Sequence, residues 1–375
     1  MNCWRYNNND DDDMVEEQNR RHHLQDHEPL AFSSDPTLIA ATSRWVLPTS
    51  DDESLNIEFF DPNPTARLDC PKKSVLLWIH GICESAETWA VQNIVRHAAM
   101  VDEQSDGGVC VAVLELPGHG LSSGETKSLC PDFFTLVRHT VEFVDLVLKE
   151  LQKSETTNIT ISYAIGGNSL GGTLAVYAAE IISRRLQDQD DEIFVSLPSS
   201  ISIGKDHTFL GVIPVTPAIG VKSEALPPSY IVSLLSLASR LVPSANPPLT
   251  PLEDPSHYNC PSNTARNYAG HWPLATSKML LDLTAYQVPS DVNSKTKLTL
   301  RNAGKVLLLV GGKDHVIPME SVHAFYDQVQ SKQKDILVLK KAGHDLLVDQ
   351  RSTQAALEFL FSIFASSNAE TASNQ

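Results

Sequence analysis

One serine stands between two pairs of glycines in the stretch "AIGGNSLGGT", Ala164 to Thr173, inside the G-x-S-x-G pattern made by Gly167, Asn168, Ser169, Leu170 and Gly171. A serine hydroxyl is a weak nucleophile. It needs a neighbouring base that a third group orients, and acyl transfer also needs two backbone N–H groups facing the developing oxyanion. The competing reading, a glycine-rich phosphate turn, requires G-x-G-x-x-G or a Walker lysine, and the stretch has neither. The remaining chain must therefore supply a base, an acid and an oxyanion hole.

Two later segments supply the base and the acid. "KVLLLVGGKDHVIP" brings Asp314 to the end of a buried apolar run, and "DILVLKKAGHDLL" brings His344 to the end of the next. Open α/β sheets place their sites at the carboxyl ends of strands, which suits both residues. The order along the chain is Ser169, Asp314, His344. Other histidines are worse placed: His97 and His139 lie in helical patterns, His257 and His271 lie in an irregular stretch, and an extended backbone would turn His315 away from Asp314. Asp345 and Asp349 remain alternative acids. One oxyanion donor is expected at Leu170, where a helix begins and its N–H groups lack partners. The other is expected at Ile82, in the turn His80-Gly81-Ile82-Cys83-Glu84 that follows "SVLLWI". His80, ending a buried run, reads as a structural hydrogen-bonding residue. Cys83 has two readings, a thiol whose modification displaces the oxyanion turn or a buried inert one.

The elements that must position these residues follow from periodicity. "LNIEFFD" alternates like a strand, and "SVLLWIHG", "VCVAVLEL", "NITISYAIGG", "TFLGVIPVTP", "KVLLLVGG" and "DILVLKKAG" read as buried strands. Helical patterns separate several of them: "ESAETWAVQNIVRHAAM", "PDFFTLVRHTVEFVDLVLKEL", "GGTLAVYAAEIISRRL" and "MESVHAFYDQVQ". This alternation predicts an α/β fold with a mostly parallel central sheet and helices on both faces. Ser169 then falls on the sharp turn between a strand and a helix, where Cβ atoms at positions 167 and 171 would collide with their neighbours.

The alternation breaks from Ile219 to Asn302, which predicts an inserted cap between core strands. The expected division is an acidic tail at 1–30, a core at 31–218, the cap at 219–302, the rest of the core at 303–367 and a C-terminal tail at 368–375. In the cap, "PPSYIVSLLSLASRLVP" sets Ile231, Leu234, Leu235, Leu237 and Leu241 near one side of a helix, facing a core and roofing the site. The stretch at 186–207 reads as a surface excursion. His22, His23 and His27 lie in the low-complexity tail and read as solvated residues, not metal ligands.

Composition narrows the function classes. The formal net charge of −17 and the lack of a Lys/Arg cluster exclude a nucleic-acid surface. Cys3, Cys70, Cys83, Cys110, Cys130 and Cys260 form no C-x-x-C pair, and no apolar leader follows Met1, so thiols in a reducing, cytoplasmic setting are expected. The sequon at Asn158 opens an apparent buried strand and reads as chance. No apolar run approaches a membrane span, which leaves a peripheral contact through the cap as the membrane reading.

Taken together, "WIHGICESAETW", "LELPGHGLSSGE", "GGNSLGG", "VGGKDHVIP" and "AGHDLLV" resemble the α/β-hydrolase superfamily, and most of all its monoacylglycerol lipase and lysophospholipase branch. The resemblance runs from about Leu55 to Ala365 and implies the triad Ser169, Asp314, His344, the oxyanion amides of Ile82 and Leu170, and a cap. It implies no cofactor and no metal. The chain departs from the pattern at Asn168, where His or Glu is frequent, at Cys83, where a small residue is frequent, and at Glu115, where Asp is frequent. The expected activity is serine ester hydrolysis through an acyl-enzyme, on a small-molecule lipid ester such as a monoacylglycerol or a lysophospholipid. Alternatives on the same fold are an acyltransferase, a non-catalytic binding protein, and an aminopeptidase that would draw on Glu224, Glu253, Asp254, Asp282 or Asp291 to hold an ammonium.

Overall fold

Along a strand successive side chains point to opposite faces, so an apolar run without alternation must be covered on both sides. The third strand, β3 (Lys72–Ile79), does this: Val75, Leu77 and Ile79 enter one core, while Leu76 and Trp78 enter another. The computed structural model describes residues 38–62, 72–102, 108–130, 132–153, 160–187, 195–201, 203, 207–220, 228–246, 266, 270–286, 298–348 and 352–372, and every structural statement concerns those residues. The expected tail at 1–30, Asn158, and much of the expected cap lie outside them.

The strands are β1 (Ser43–Pro48), β2 (Ser54–Phe60), β3, β4 (Val109–Leu114), β5 (Thr160–Asn168), β6 (Thr208–Val215), β7 (Lys305–Gly311) and β8 (Gln333–Leu339). They form one sheet in the order β1-β2-β4-β3-β5-β6-β7-β8. β1 and β2 form an antiparallel hairpin and β2 pairs antiparallel with β4, while the other pairings are parallel. The order reverses around β3, and the crevice beside such a reversal is where open sheets hold their ligands.

The helices are α1 (Trp89–Asp102), α2 (Phe133–Lys153), α3 (Leu170–Arg185), α4 (Ser229–Leu241), α5 (Leu274–Tyr286), α6 (Met319–Gln328) and α7 (Thr353–Ala372). α1 and α7 contribute Ile94, Val95, Leu360 and Phe361 to one core. α2, α3 and α6 contribute Phe143, Val144, Ala178 and Phe325 to the other. α3 is buried from Leu170 to Ser183, which explains its Ala- and Gly-rich sequence, and its last turn carries Arg184 and Arg185 at the negative end of the helix dipole.

The α/β architecture matches the expectation from the sequence, with three differences. β1 was not anticipated, because it is an edge strand whose Val46 is exposed and whose Trp45 stacks on Phe59, so it lacks an apolar run. α7 extends through Ala372, into the stretch expected as a tail. The apolar stripe of α4 is divided between two directions: Leu235 is 8% exposed, but Leu234 is 65%, Leu237 58% and Leu241 72% exposed, and Tyr230 at 71% continues that outer row. The spacing 230, 234, 237, 241 is one helical face, and it faces away from the core.

Candidate active site

The elbow is built from backbone constraint. Ser169 follows β5 directly and stands at the N-cap of α3 with φ 51° and ψ −118°, a conformation that L-residues adopt only when their surroundings enforce it. Its N–H donates to Val215 O at 2.9 Å, and its carbonyl accepts from Thr173 N–H at 3.2 Å and Ala218 N–H at 3.1 Å. The end of β6, the loop after it and the helix thus hold it from both sides. A Cβ on Gly171 would overlap the carbonyls of Ile79 and His80, and one on Gly167 would overlap the Gly171 backbone, so both glycines are sterically required.

Asp314 and His344 leave adjacent strands, β7 and β8. His344 Nδ1–H donates to Asp314 Oδ2 at 2.7 Å, while Asp314 Oδ1 accepts the N–H groups of Val316 at 2.8 Å and Ile317 at 2.9 Å. Burial pushes the Asp314 carboxyl up, but the His344 hydrogen bond and charge and the two backbone donors hold it below its usual value. For His344 burial pulls the other way, and Asp314, with the charges of Asp345 and Glu84, keeps the imidazole above its ordinary 6.5. Of the alternative acids, Asp345 follows His344 and lines a neighbouring cavity, and Asp349 lies outside the described residues. That cavity, about 10 Å³, is enough for one water molecule and is lined by Glu84, Asn168, Thr216, His344 and Asp345 among others. It brings His344 beside Asn168, the residue preceding Ser169.

The turn after β3 carries Ile82. His80 is fully buried there; its Nδ1–H donates to Gly81 O at 2.6 Å and its Nε2 accepts Leu116 N–H at 3.1 Å. Burial, opposed by the Gly81 bond and helped by Arg266, lowers it to about 4, so the ring stays neutral and structural. His119 Nε2 accepts from Cys83 N–H at 3.0 Å and Ser128 Oγ at 3.1 Å, and burial lowers its pKa to about 3. Cys83 is wholly buried with φ 65°, its Sγ 3.4 Å from Ser128 Oγ. The inert reading of that thiol therefore fits, and the modification-sensitive one lacks solvent access. Leu170 is the first residue of α3, where N–H groups have no helical acceptor.

Two groups escaped the reading of the sequence. Glu84, in the same turn, accepts Gly81 N–H at 2.7 Å and both carboxyl oxygens take Asn168 Nδ2–H, at 3.0 and 2.9 Å. Arg266, from the expected cap, donates to Glu87 at 2.7 Å, Glu58 at 2.8 Å and Glu115 at 2.7 Å while only 6% exposed. Burial pulls the guanidinium down, but the Glu115 and Glu58 charges overcome it. Glu115 also accepts from Asn56, Ala86 N–H and Leu121 N–H, so Arg266 joins the loops after β3 and β4. Among the described residues no group of three His, Cys, Asp or Glu could hold a metal ion, and no helix is long and apolar enough to cross a membrane.

A model of the alpha/beta hydrolase family matches residues 76–357. No curated protein matches the chain. Among solved structures it resembles a monoacylglycerol lipase of Paleococcus ferrophilus, at 18% identity and TM-score 0.51, over 82% of this chain and 99% of that one. A soluble variant of monoglyceride lipase from Saccharomyces cerevisiae, in complex with a substrate analogue, is similar at 14% identity and TM-score 0.58, over 87% and 96%. A hydrolase from Agrobacterium vitis S4 is similar at 13% identity and TM-score 0.51, over 86% and 97%. Identities this low speak to the fold.

Proposed function

The chain belongs to the alpha/beta hydrolase family, and from that premise we propose that it is a serine hydrolase of long-chain carboxylic esters, acting first on single-chain glycerol esters and second on lysophospholipids. The observation that carries this reading is the 2.7 Å bond from His344 Nδ1–H to Asp314, which leaves Nε2 as the basic nitrogen. In the mechanism, Nε2 takes the Ser169 hydroxyl proton as Oγ attacks the ester carbonyl carbon. The oxyanion forms against the N–H groups of Ile82 and Leu170. Collapse expels the alcohol, protonated by His344, and leaves an acyl-serine. Water then attacks with the same base, releases the fatty acid and restores Ser169.

Long acyl chains are favoured by the apolar make-up of the expected cap, in which Leu235, Met279 and Leu283 are buried and α4 packs on α5. Glycerol esters are favoured because two of the similar structures are monoacylglycerol lipases. The outer row of α4, Tyr230, Leu234, Leu237 and Leu241, suits a peripheral contact with a bilayer from which an amphiphile enters. A cytoplasmic setting accords with the buried thiols Cys83, Cys110 and Cys130.

Ser169→Ala tests the mechanism. It is expected to lose covalent labelling by a fluorophosphonate and about 10⁴- to 10⁶-fold in kcat. Labelling that persists would move the nucleophile elsewhere. A panel spanning acyl length and head group, with an aminoacyl amide included, tests the substrate. Preference for the amide, or kcat/KM that does not rise with acyl length, rejects the lipase reading.

A further inference from the structure

We infer that Glu84 is a positioning residue of the ester-cleaving site, whose carboxylate ties the oxyanion turn to the nucleophile elbow and releases both when it takes up a proton. The inference rests on the function proposed above. Its geometry is two-sided. Gly81 immediately precedes Ile82, and Asn168 immediately precedes Ser169; one carboxylate holds both, through Gly81 N–H at 2.7 Å and Asn168 Nδ2–H at 3.0 and 2.9 Å. The two segments also touch, since a Cβ on Gly81 would lie 3.1 Å from Asn168 Nδ2 and 3.3 Å from Glu84 Oε2. Any shift of Glu84 therefore reaches the oxyanion donor and the nucleophile together.

The turn shows why this matters for Ile82. Of three successive backbone donors, Gly81 N–H is committed to Glu84 and Cys83 N–H to His119 Nε2 at 3.0 Å. These two anchors fix the 80–81 and 82–83 peptides that flank the Gly81–Ile82 peptide, and so restrict the direction of the Ile82 N–H that it carries. Burial lowers His119 to about 3, so it stays neutral between about pH 5 and 8. Glu84 is the anchor that titrates.

The groups facing Glu84 come from three places: Gly81 N–H from its own turn, Asn168 from the end of β5, and His344 and Asp345 from the loop after β8. Burial raises its pKa most, the Asn168 and Gly81 hydrogen bonds lower it, Asp345 raises it, His344 lowers it, and the balance is about 7. All its partners are donors, which the carboxylate satisfies as an acceptor and the protonated acid satisfies less well. Below about 7 the clamp is protonated and slackens. His344 is protonated in the same direction, as pH falls through a value above 6.5. The acid limb of kcat/KM is therefore expected to fall with a slope approaching two protons.

Glu84→Gln is the test, because it keeps an acceptor oxygen and removes the proton and the charge. Expected are a roughly tenfold to hundredfold loss in kcat with KM little changed, short of the ~10²–10³ for deleting an oxyanion donor outright, an acid limb reduced to one proton, and a lower His344 pKa. Asn168→Ala is expected to lose as much, and the double variant no more than the worse single, since both remove one clamp. Fluorophosphonate titration counts the folded sites of each variant. Additive losses, or a Glu84→Gln enzyme that keeps the wild-type kcat and slope, overturn the inference. Those results in an enzyme that Ser169→Ala silences leave the hydrolase reading standing; activity that survives Ser169→Ala removes that reading instead.

Discussion

The loops at the carboxyl ends of β3, β5, β7 and β8 and the helix α4 differ in how their residues are held. Around Ser169, His344 and Ile82 the neighbouring groups are tied by buried hydrogen bonds from several strands: Val215 and Ala218 to Ser169, Asp314 to His344, and Glu84 and His119 to the turn. On α4 only Leu235 is buried, and hydroxyls of Ser233, Ser236 and Ser239 return to the helix's own carbonyls. The contrast teaches a division of labour. The strained elbow needs directional bonds to persist, whereas the exposed apolar row of α4 offers only area, which is indifferent to direction.

The largest effect that would sharpen the contrast comes from the tied region. Asp314→Asn keeps an oxygen for the N–H groups of Val316 and Ile317 but loses the charge that fixes the His344 tautomer, and kcat is expected to fall about 10⁴-fold. Melting should change little by comparison. In the wild type, activity is expected to fall with acid as His344, raised above its ordinary 6.5, is protonated; a flat profile between about pH 5 and 8 would contradict the role of base proposed for it.

Next in size is Arg266, which joins β2 and the loops after β3 and β4 by charge. Arg266→Met leaves Glu115 buried without its cation and Glu58 with Arg44 alone, and breaking a buried network in this way costs about 3–5 kcal/mol. Denaturant unfolding checks it. A loss under about 1 kcal/mol would mean that water reaches these carboxylates and that the expected cap is not pinned by them.

What was legible in the sequence follows the same divide. Ser169, Asp314 and His344 each end a local strand pattern, so spacing and residue type were enough to single them out, and the crowded glycines at 167 and 171 marked the elbow. Glu84 and Arg266 were not legible as partners. Glu84 meets Asn168 across 84 positions, and Arg266 meets Glu115 across 151, so only the folded sheet joins them. The motif "HGICE" displayed Glu84 without its bond, and "NTARNYAGHW" gave Arg266 no periodic context. The edge strand β1 was missed because an exposed strand needs no apolar run. On α4 the apolar stripe was legible but its direction was not, because a 3.6-residue period says which residues share a face and not what that face meets.

The smallest effect tests that outer face. Replacing Leu234, Leu237 and Leu241 together by Ser should cost no more than about 0.5 kcal/mol of stability per site, as exposed positions do. If the face rests on a bilayer, each Leu contributes part of the ~1.5–3 kcal/mol of a fully buried side chain. The triple variant should then hydrolyse a long-chain ester in neutral vesicles about tenfold less well at limiting lipid, while a soluble short ester is hydrolysed at the wild-type rate. Anionic lipid should weaken binding of both proteins, since the net charge of −17 opposes it. Equal losses on both substrates would place the defect in the site and not at the surface. That outcome would erase the contrast, because the outer row of α4 would then belong to the same constrained machinery as the strand ends.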